Sequence, residues 1–207
     1  RKGVVGVFQI APNFNIDSGV VSIDSPVSGT LTAAETVTVT IFNYGQTAAS
    51  NFPVTYQIDG GAVVTENYVG TIAPATTAQY SFAASADLSI EGQTYTIVAS
   101  TNLSGDEDNS NDSTTEDVTH IFANDIGVSE ITAPEDGEGL GNESVVVTIE
   151  NFGAASQSNF DVSYSIDGGT ATVETVSGPL AVGATMPYTF TTLGDFSEAG
   201  THTLSSS

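Results

Sequence analysis

The sequence contains no cysteine and no tryptophan, one methionine, two histidines and only two basic side chains, Arg1 and Lys2, among 207 residues. Each shortage excludes something. Without cysteine there is no disulfide framework, no thiol catalysis and no Cys-ligated zinc or iron–sulfur centre. With one Lys and one Arg the chain cannot neutralise a phosphate backbone, which excludes nucleic acid as a partner through a basic footprint. An anionic membrane surface would repel it. No apolar run approaches the ~18 residues needed for a spanning helix, so membrane insertion is not expected either.

What is present is acid and β-formers. Twenty-five Asp and Glu give a formal charge of −23, yet charged residues are only 13% of the chain and hydrophobic ones 39%. Disordered acidic chains are poor in aromatics, whereas this one has ten Phe and seven Tyr. Basic residues have been omitted rather than acids piled up, which suits an exported protein that must stay soluble. Beginning at Arg1 and ending at Ser205-Ser206-Ser207, the chain reads as a mature product or a fragment.

An internal repeat at an offset of 108 residues organises the sequence. Asp17-x-Gly19-Val20-x-x-Ile23 returns as Asp125-x-Gly127-Val128-x-x-Ile131. Val37, Val39, Thr40, Ile41, Asn43 and Gly45 return at 145–153. Ser50-Asn51-Phe52-x-Val54-x-Tyr56-x-Ile58-Asp59-Gly60-Gly61 returns at 158–169. Over residues 17–92 against 125–200, 31 of 76 pairs are identical. Such self-similarity marks two copies of one domain.

Each copy reads as β. Val37, Val39 and Ile41 alternate with threonines, and Val54, Tyr56 and Ile58 alternate with Thr55 and Gln57, the period of a half-buried strand. Tyr80/Phe82 and Tyr95/Ile97/Ala99 give further runs. Asp59-Gly60-Gly61 accepts the positive φ of a hairpin turn. Asn43-Tyr44-Gly45 and Gly70 punctuate, and a last strand is expected over Val118–Phe122. No helical periodicity occurs. The expected fold is all-β: two tandem immunoglobulin-like sandwiches at 17–122 and 123–207, preceded by a strand or extension at 1–16, with a barrel as the alternative. A junction near 121–125 would set the angle between the domains.

The second copy stops at Ser207, which aligns near Ser100, so it lacks a counterpart of the last strand. A sandwich without that strand exposes an edge. The apolar segment 3–10, with Val4, Val5, Val7, Phe8 and Ile10, could complete the second domain of a neighbour by donor-strand exchange and build a filament. The plainer reading is that the chain is cut from a longer array, with 3–10 belonging to a preceding repeat. The same N-terminus faintly echoes a signal peptide, but Gln9 cuts its apolar run short.

These phrases together resemble immunoglobulin-like repeats of the CARDB type, which occur in tandem in large secreted surface proteins and adhesins, notably of Bacteroidetes exported by the type IX system. The acidic, Asn-rich stretch 102–112 is similar to the turn such repeats carry before their last strand. The resemblance implies an extracellular, non-enzymatic role.

Few residues invite chemistry. Asp106, Glu107, Asp108 and Asp112 place four oxygen ligands within seven residues, a candidate calcium site without EF-hand spacing, or else a solvated turn capping its own backbone. Glu135, Asp136 and Glu138 form a second acidic patch that could hold a cation near the interdomain junction. His120 and His202 read as strand-surface residues with no catalytic constellation around them. A glycosidase-type carboxylate pair carries no signal on so acidic a surface. Tyr68 could stack on a sugar or pack across strands. Asn102, Asn111 and Asn142 open glycosylation sequons, and Ser113 fits an O-glycan acceptor pattern. The loops 44–52 and 152–160 are candidate binding loops. The expected function is a structural or adhesive cell-surface module whose partners are itself, as adjacent repeats or subunits, and surface glycans. A filament subunit and a carbohydrate-binding accessory domain are the alternatives.

Overall fold

The computed structural model describes residues 14–207, so the proposed donor segment, Val4, Val5, Val7, Phe8 and Ile10, lies outside the described residues. No described residue is helical, and none forms a helix long and apolar enough to cross a membrane. The chain divides into two compact units, one ending at His120 and one starting at Ile121. Both are immunoglobulin-like β-sandwiches.

In the first unit, β1 (Ser18–Ser25), β2 (Thr38–Asn43), β3 (Ala49–Ile58), β4 (Val64–Ile72), β5 (Thr77–Ser81), β6 (Thr94–Thr101) and β7 (Ser113–Thr119) make two antiparallel sheets. One has the order β1-β2-β5, the other β4-β3-β6-β7. The alternation in the sequence does what its period requires. Val37, Val39 and Ile41 face inward from one sheet, and Val54, Tyr56, Ile97 and Ala99 from the other, each 3% exposed or less. Leu88, Phe52, Ile72 and Phe82 fill the space between. The hairpin joining β3 to β4 turns on Asp59 and Gly60, with φ of 49° and 68°, and closes with Gly61 N–H donating to Ile58 O at 2.8 Å. Those are the two positive φ values that a type I′ turn demands.

Two expectations need correcting. The last strand starts at Ser113 rather than Val118 and ends at Thr119. Only Val118 in it is buried, so no apolar alternation betrays it; it forms by backbone pairing to β6, Ser100 opposite Ser113 through Thr94 opposite Thr119. Gly70 lies inside β4 rather than between strands, beneath the Tyr68 ring.

In the second unit, β8 (Ile126–Ala133), β9 (Asn142–Glu143), β10 (Val146–Asn151), β11 (Phe160–Ile166), β12 (Thr172–Val176), β13 (Thr185–Thr189), β14 (Gly194–Asp195) and β15 (Leu204–Ser206) follow. Sheet orders β13-β10-β8 and β12-β11-β15 repeat β5-β2-β1 and β4-β3-β6 of the first unit, and the short β14–β9 pair repeats the bridge between Glu35 and Ala86 there. The core is smaller: Val145, Val147, Ile149, Val162, Tyr164, Phe190 and Phe196, with Val176 and Leu180. β15 corresponds to β6 and pairs with β11; no described strand lies on its other side.

Two polar devices recur in both units. Asn43, 0% exposed, donates Nδ2–H to Thr47 O and Ile72 O, both at 2.8 Å, and its Oδ1 accepts Gly45 N–H at 2.9 Å. Asn151 does the same with Ala155 O, Leu180 O and Gly153 N–H. This is why Asn and Gly are spaced two apart in both repeats: the amide replaces backbone partners that the turn after β2 and β10 would leave unpaired. The second device is a carboxylate bridging the two sheets. Glu66 on β4 accepts from Tyr80 Oη beside it on β5 at 2.8 Å and from the Ala83 and Ala84 N–H groups. Glu174 on β12 accepts from Tyr188 Oη at 2.7 Å, Thr191 Oγ1 at 2.6 Å, and the Thr191 and Thr192 N–H groups.

Hydroxyls and amides, not cations, hold the acids. Asp24 accepts from Ser22, Thr40 and Gln79, and Asp161 from Thr175. Among the described residues His202–Asp167 is the sole ion pair.

Candidate functional site

The chemistry-bearing side chains gather where β1 leaves the 14–17 segment and meets the turn between β6 and β7. Gly19 makes the approach possible. A Cβ there would stand 2.1 Å from Asn111 O, a distance no side chain survives. Val20 N–H then donates to Asp112 O at 3.3 Å and Thr101 Oγ1 to Ser18 O at 2.8 Å, so β1 is stitched to the β6–β7 seam.

The four expected calcium ligands do not act as one group. Asp106 Oδ2 accepts Ser18 N–H at 2.9 Å while its Oδ1 accepts Asp108 N–H. Glu107 turns away to accept Asn15 N–H at 3.0 Å. Asp108 caps its own turn through Ser110 N–H and Oγ. Asp112 is part-buried, and its Oδ1 has no hydrogen-bond partner among the described residues. The member that sequence spacing missed is Asp17, 1% exposed, which accepts Asn111 Nδ2–H at 2.9 Å. It lies some ninety positions from the turn, so only its repetition as Asp125 hinted at importance.

Electrostatics link these carboxylates. Burial, then the charges of Asp106, Asp17 and Asp108, push the Asp112 carboxyl up to about 6. Burial also raises Asp17, opposed by the Asn111 hydrogen bond and reinforced by Asp106, Asp108 and Glu107. Ser110 holds Asp108 below the usual carboxylate range. Among the described residues, no three Asp, Glu or His side chains converge at metal-ligand spacing.

The other expected sites sit apart. Glu135, Asp136 and Glu138 are exposed in the second unit, on the loop between β8 and β9, in shallow clefts shared with Phe196 and His202. Neither histidine lies on a strand surface. His120 is 5% exposed, and its Nδ1 lies 2.9 Å from Leu88 O. His202 lies before β15 with Nδ1 2.7 Å from Asp167 Oδ2 and Nε2 2.9 Å from Glu198 O. These bonds raise His202. The Thr203 N–H and then His202 lower Asp167. Tyr68 is part-buried against Phe52 and Tyr80, with ring centroids at 5.4 and 6.1 Å, so it is spent on cross-strand packing. Asn102, Asn142 and Ser113 are exposed. Asn111 is part-buried, and its Nδ2–H donates to Asp17. Of the loop 44–52, residues 49–52 belong to β3.

The CARDB family profile matches residues 11–117 and 123–206, one stretch for each repeat. The chain belongs to the CARDB family. CARDB domains are in general non-catalytic modules. Among curated proteins no relative matches. Among solved structures, the chain is similar to a domain of a candidate cell surface protein from Methanosarcina acetivorans: 25% identity, 51% of this chain and 92% of that one, TM-score 0.44. A CARDB domain from Pyrococcus furiosus, solved by NMR, is 20% identical over 52% of this chain and 98% of its own, with TM-score 0.41. A crystal structure of that Pyrococcus domain in complex with di-metal ions is matched at 17% identity, over 53% and 93%, with TM-score 0.38. Both organisms are archaea, so these relatives lend no support to a Bacteroidetes affiliation.

Proposed function

We propose that this pair of CARDB sandwiches is a non-enzymatic structural module of an extracellular cell-surface protein, each sandwich serving as a stiff link and the short loops at its ends offering adhesive contacts. One observation carries the reading. The polar side chains that recur in the two units are consumed, in the same way in both, by internal bonds: Asn43 and Asn151 at the turn, Glu66 and Glu174 between sheets, and Tyr56 and Tyr164 donating to Ala84 O and Thr192 O. Repeating the fastening rather than a pocket is what a spacer requires. Adhesion would fall to residues 44–48 and 152–159, which join strands at one end of each sandwich.

Electron micrographs of the purified chain test this. Discrete particles of one size at every concentration support the module. Continuous fibres that vanish when residues 1–12 are removed would replace it with the strand-donating filament subunit, using β15 as acceptor. A sugar-selective signal on a glycan array would favour the carbohydrate-binding alternative instead, a reading that the packing of Tyr68 does not help.

A further inference from the structure

The seam between β1 and the β6–β7 turn concentrates negative charge with nothing positive beside it among the described residues. Asp17 is buried, and Asp106, Asp108 and Asp112 are part-buried. The sole described ion pair is in the other unit. Carboxylates withdrawn from water need a cation or a full set of donors. Asp17 and Asp106 have donors; Asp112 Oδ1 has none.

An independent observation comes from neutral atoms. Ser18 Oγ and Asn111 Oδ1, like Asp112 Oδ1, each expose less than 1 Å² and have no hydrogen-bond partner among the described residues. Ser18 as a whole is 0% exposed. Buried polar atoms are nearly always partnered, and these three are the only such side-chain atoms found among the described residues. All three fall at this seam. Ser18 N–H binds Asp106, Ser18 O binds Thr101, and Thr101 N–H binds Asp112 O at 3.1 Å, so the three residues share neighbours.

We propose that the first unit binds a calcium-class divalent cation at this seam, through the Asp17 and Asp112 carboxylates and the Asn111 Oδ1 amide oxygen, with Ser18 Oγ and water completing an all-oxygen shell. The donor set selects the metal. With no sulfur and no imidazole, it suits hard cations. Ligands drawn from two chain segments, mixing carboxylate and neutral oxygen, suit the larger and less regular shell of calcium over the octahedron of magnesium. Two carboxylates supplemented by neutral oxygens also accord with the lack of any converging triplet of acids. The same ion would offset the burial, and after it the mutual repulsion, that raise Asp112 and Asp17. It would tie β1 to a turn about ninety residues away and hold the first strand in its sandwich. This goes beyond the module reading, which stands with or without an ion.

The second unit supplies the control, since Asp125, the repeat counterpart of Asp17, is exposed. Calcium chloride titrated calorimetrically into the full 207-residue chain, freed of metal with EDTA and dialysed, should bind with a Kd of about 10⁻⁴–10⁻³ M. Calcium at about 10 mM should raise the first unit's melting temperature by roughly 5–15 °C. D112N and D17N should each weaken binding at least about tenfold, while D125N leaves it unchanged. D112N keeps the Asp112 carbonyl bonds to Val20 and Thr101; in EDTA it should melt no lower than the parent, which separates a lost ligand from a damaged fold. No calcium heat and no thermal shift in the parent chain overturns the proposal. So does an undiminished response in both D112N and D17N, or a loss produced equally by D125N.

Discussion

Glu174→Gln isolates the bridge between sheets. The carboxylate is part-buried and receives four donors: the Tyr188 and Thr191 hydroxyls and the Thr191 and Thr192 amides. Burial alone would raise its pKa, but these bonds outweigh it and hold the group down at about 2 against an ordinary 4.5. At about 1.4 kcal/mol per unit, that drop corresponds to roughly 3 kcal/mol. Partial exposure screens it to about 2 kcal/mol, within the range for hydrogen bonds to a charged acceptor. A glutamine keeps one acceptor oxygen and turns an NH₂ towards groups that are themselves donors. E174Q should therefore lose about 2 kcal/mol at pH 7, a fall of roughly 10 °C in melting temperature for a unit of this size. The sign with pH follows from a depressed acid. The stabilisation is complete above the unfolded value near 4.5 and disappears as pH falls through about 2. Scanning calorimetry of parent, E174Q and E66Q at pH 7 and pH 2 reads this, with E66Q assigning the first unit's transition. A loss under about 0.5 kcal/mol at pH 7, or an equal loss at pH 2, would refute the charge-based account.

The close approach at Gly19 predicts an asymmetry between repeats. Gly19→Ala should cost about 2 kcal/mol or more, because the obstruction is the Asn111 backbone oxygen, whereas at Gly127 the neighbour is the Phe152 ring edge at 3.1 Å, which can move, so G127A should cost under ~1 kcal/mol. Urea unfolding followed by circular dichroism compares them. His202 should titrate above its ordinary value and fall back in D167N, read by NMR of the two histidine rings. Because the folded pKa is raised, His202's contribution to stability should be full below about 6.5 and fade as pH rises through the folded value. Stability of H202N should lack that fading.

Much of the fold was legible because its determinants are local. Val37, Val39 and Ile41 announce an inward face by period alone, and Asp59-Gly60 announces a turn because few other pairs accept positive φ. β7 was hidden because an edge strand with one buried residue carries no period; its partner, not its composition, makes it a strand. The site was legible only in part. Asp106 and Asp112 are visible as a cluster, but Glu107 accepts from Asn15, Asp108 caps its own turn, and Asp17 joins from about ninety residues away, since neighbours in sequence need not face one point. The roles of Glu66 and Glu174 depend on amides 17 or 18 residues onward, beyond any local pattern. The repeat itself was the usable clue. An identical Glu at both positions, on strands otherwise diverged, marks a duty that the fold imposes.

That duty bears on where such a chain can work. Many immunoglobulin-like sandwiches pin their sheets with a covalent sulfur bridge, which must be oxidised after export and can be undone by reductants. Here a carboxylate, a phenol and two backbone amides do the pinning in each unit, and the clasp closes as soon as the strands meet. No oxidant is required to close it, and no reductant opens it. Its weakness lies elsewhere: strong acid protonates the clasp. A fold fastened in this way is indifferent to redox conditions, and its clasp loosens only in a medium acid enough to protonate the carboxylate.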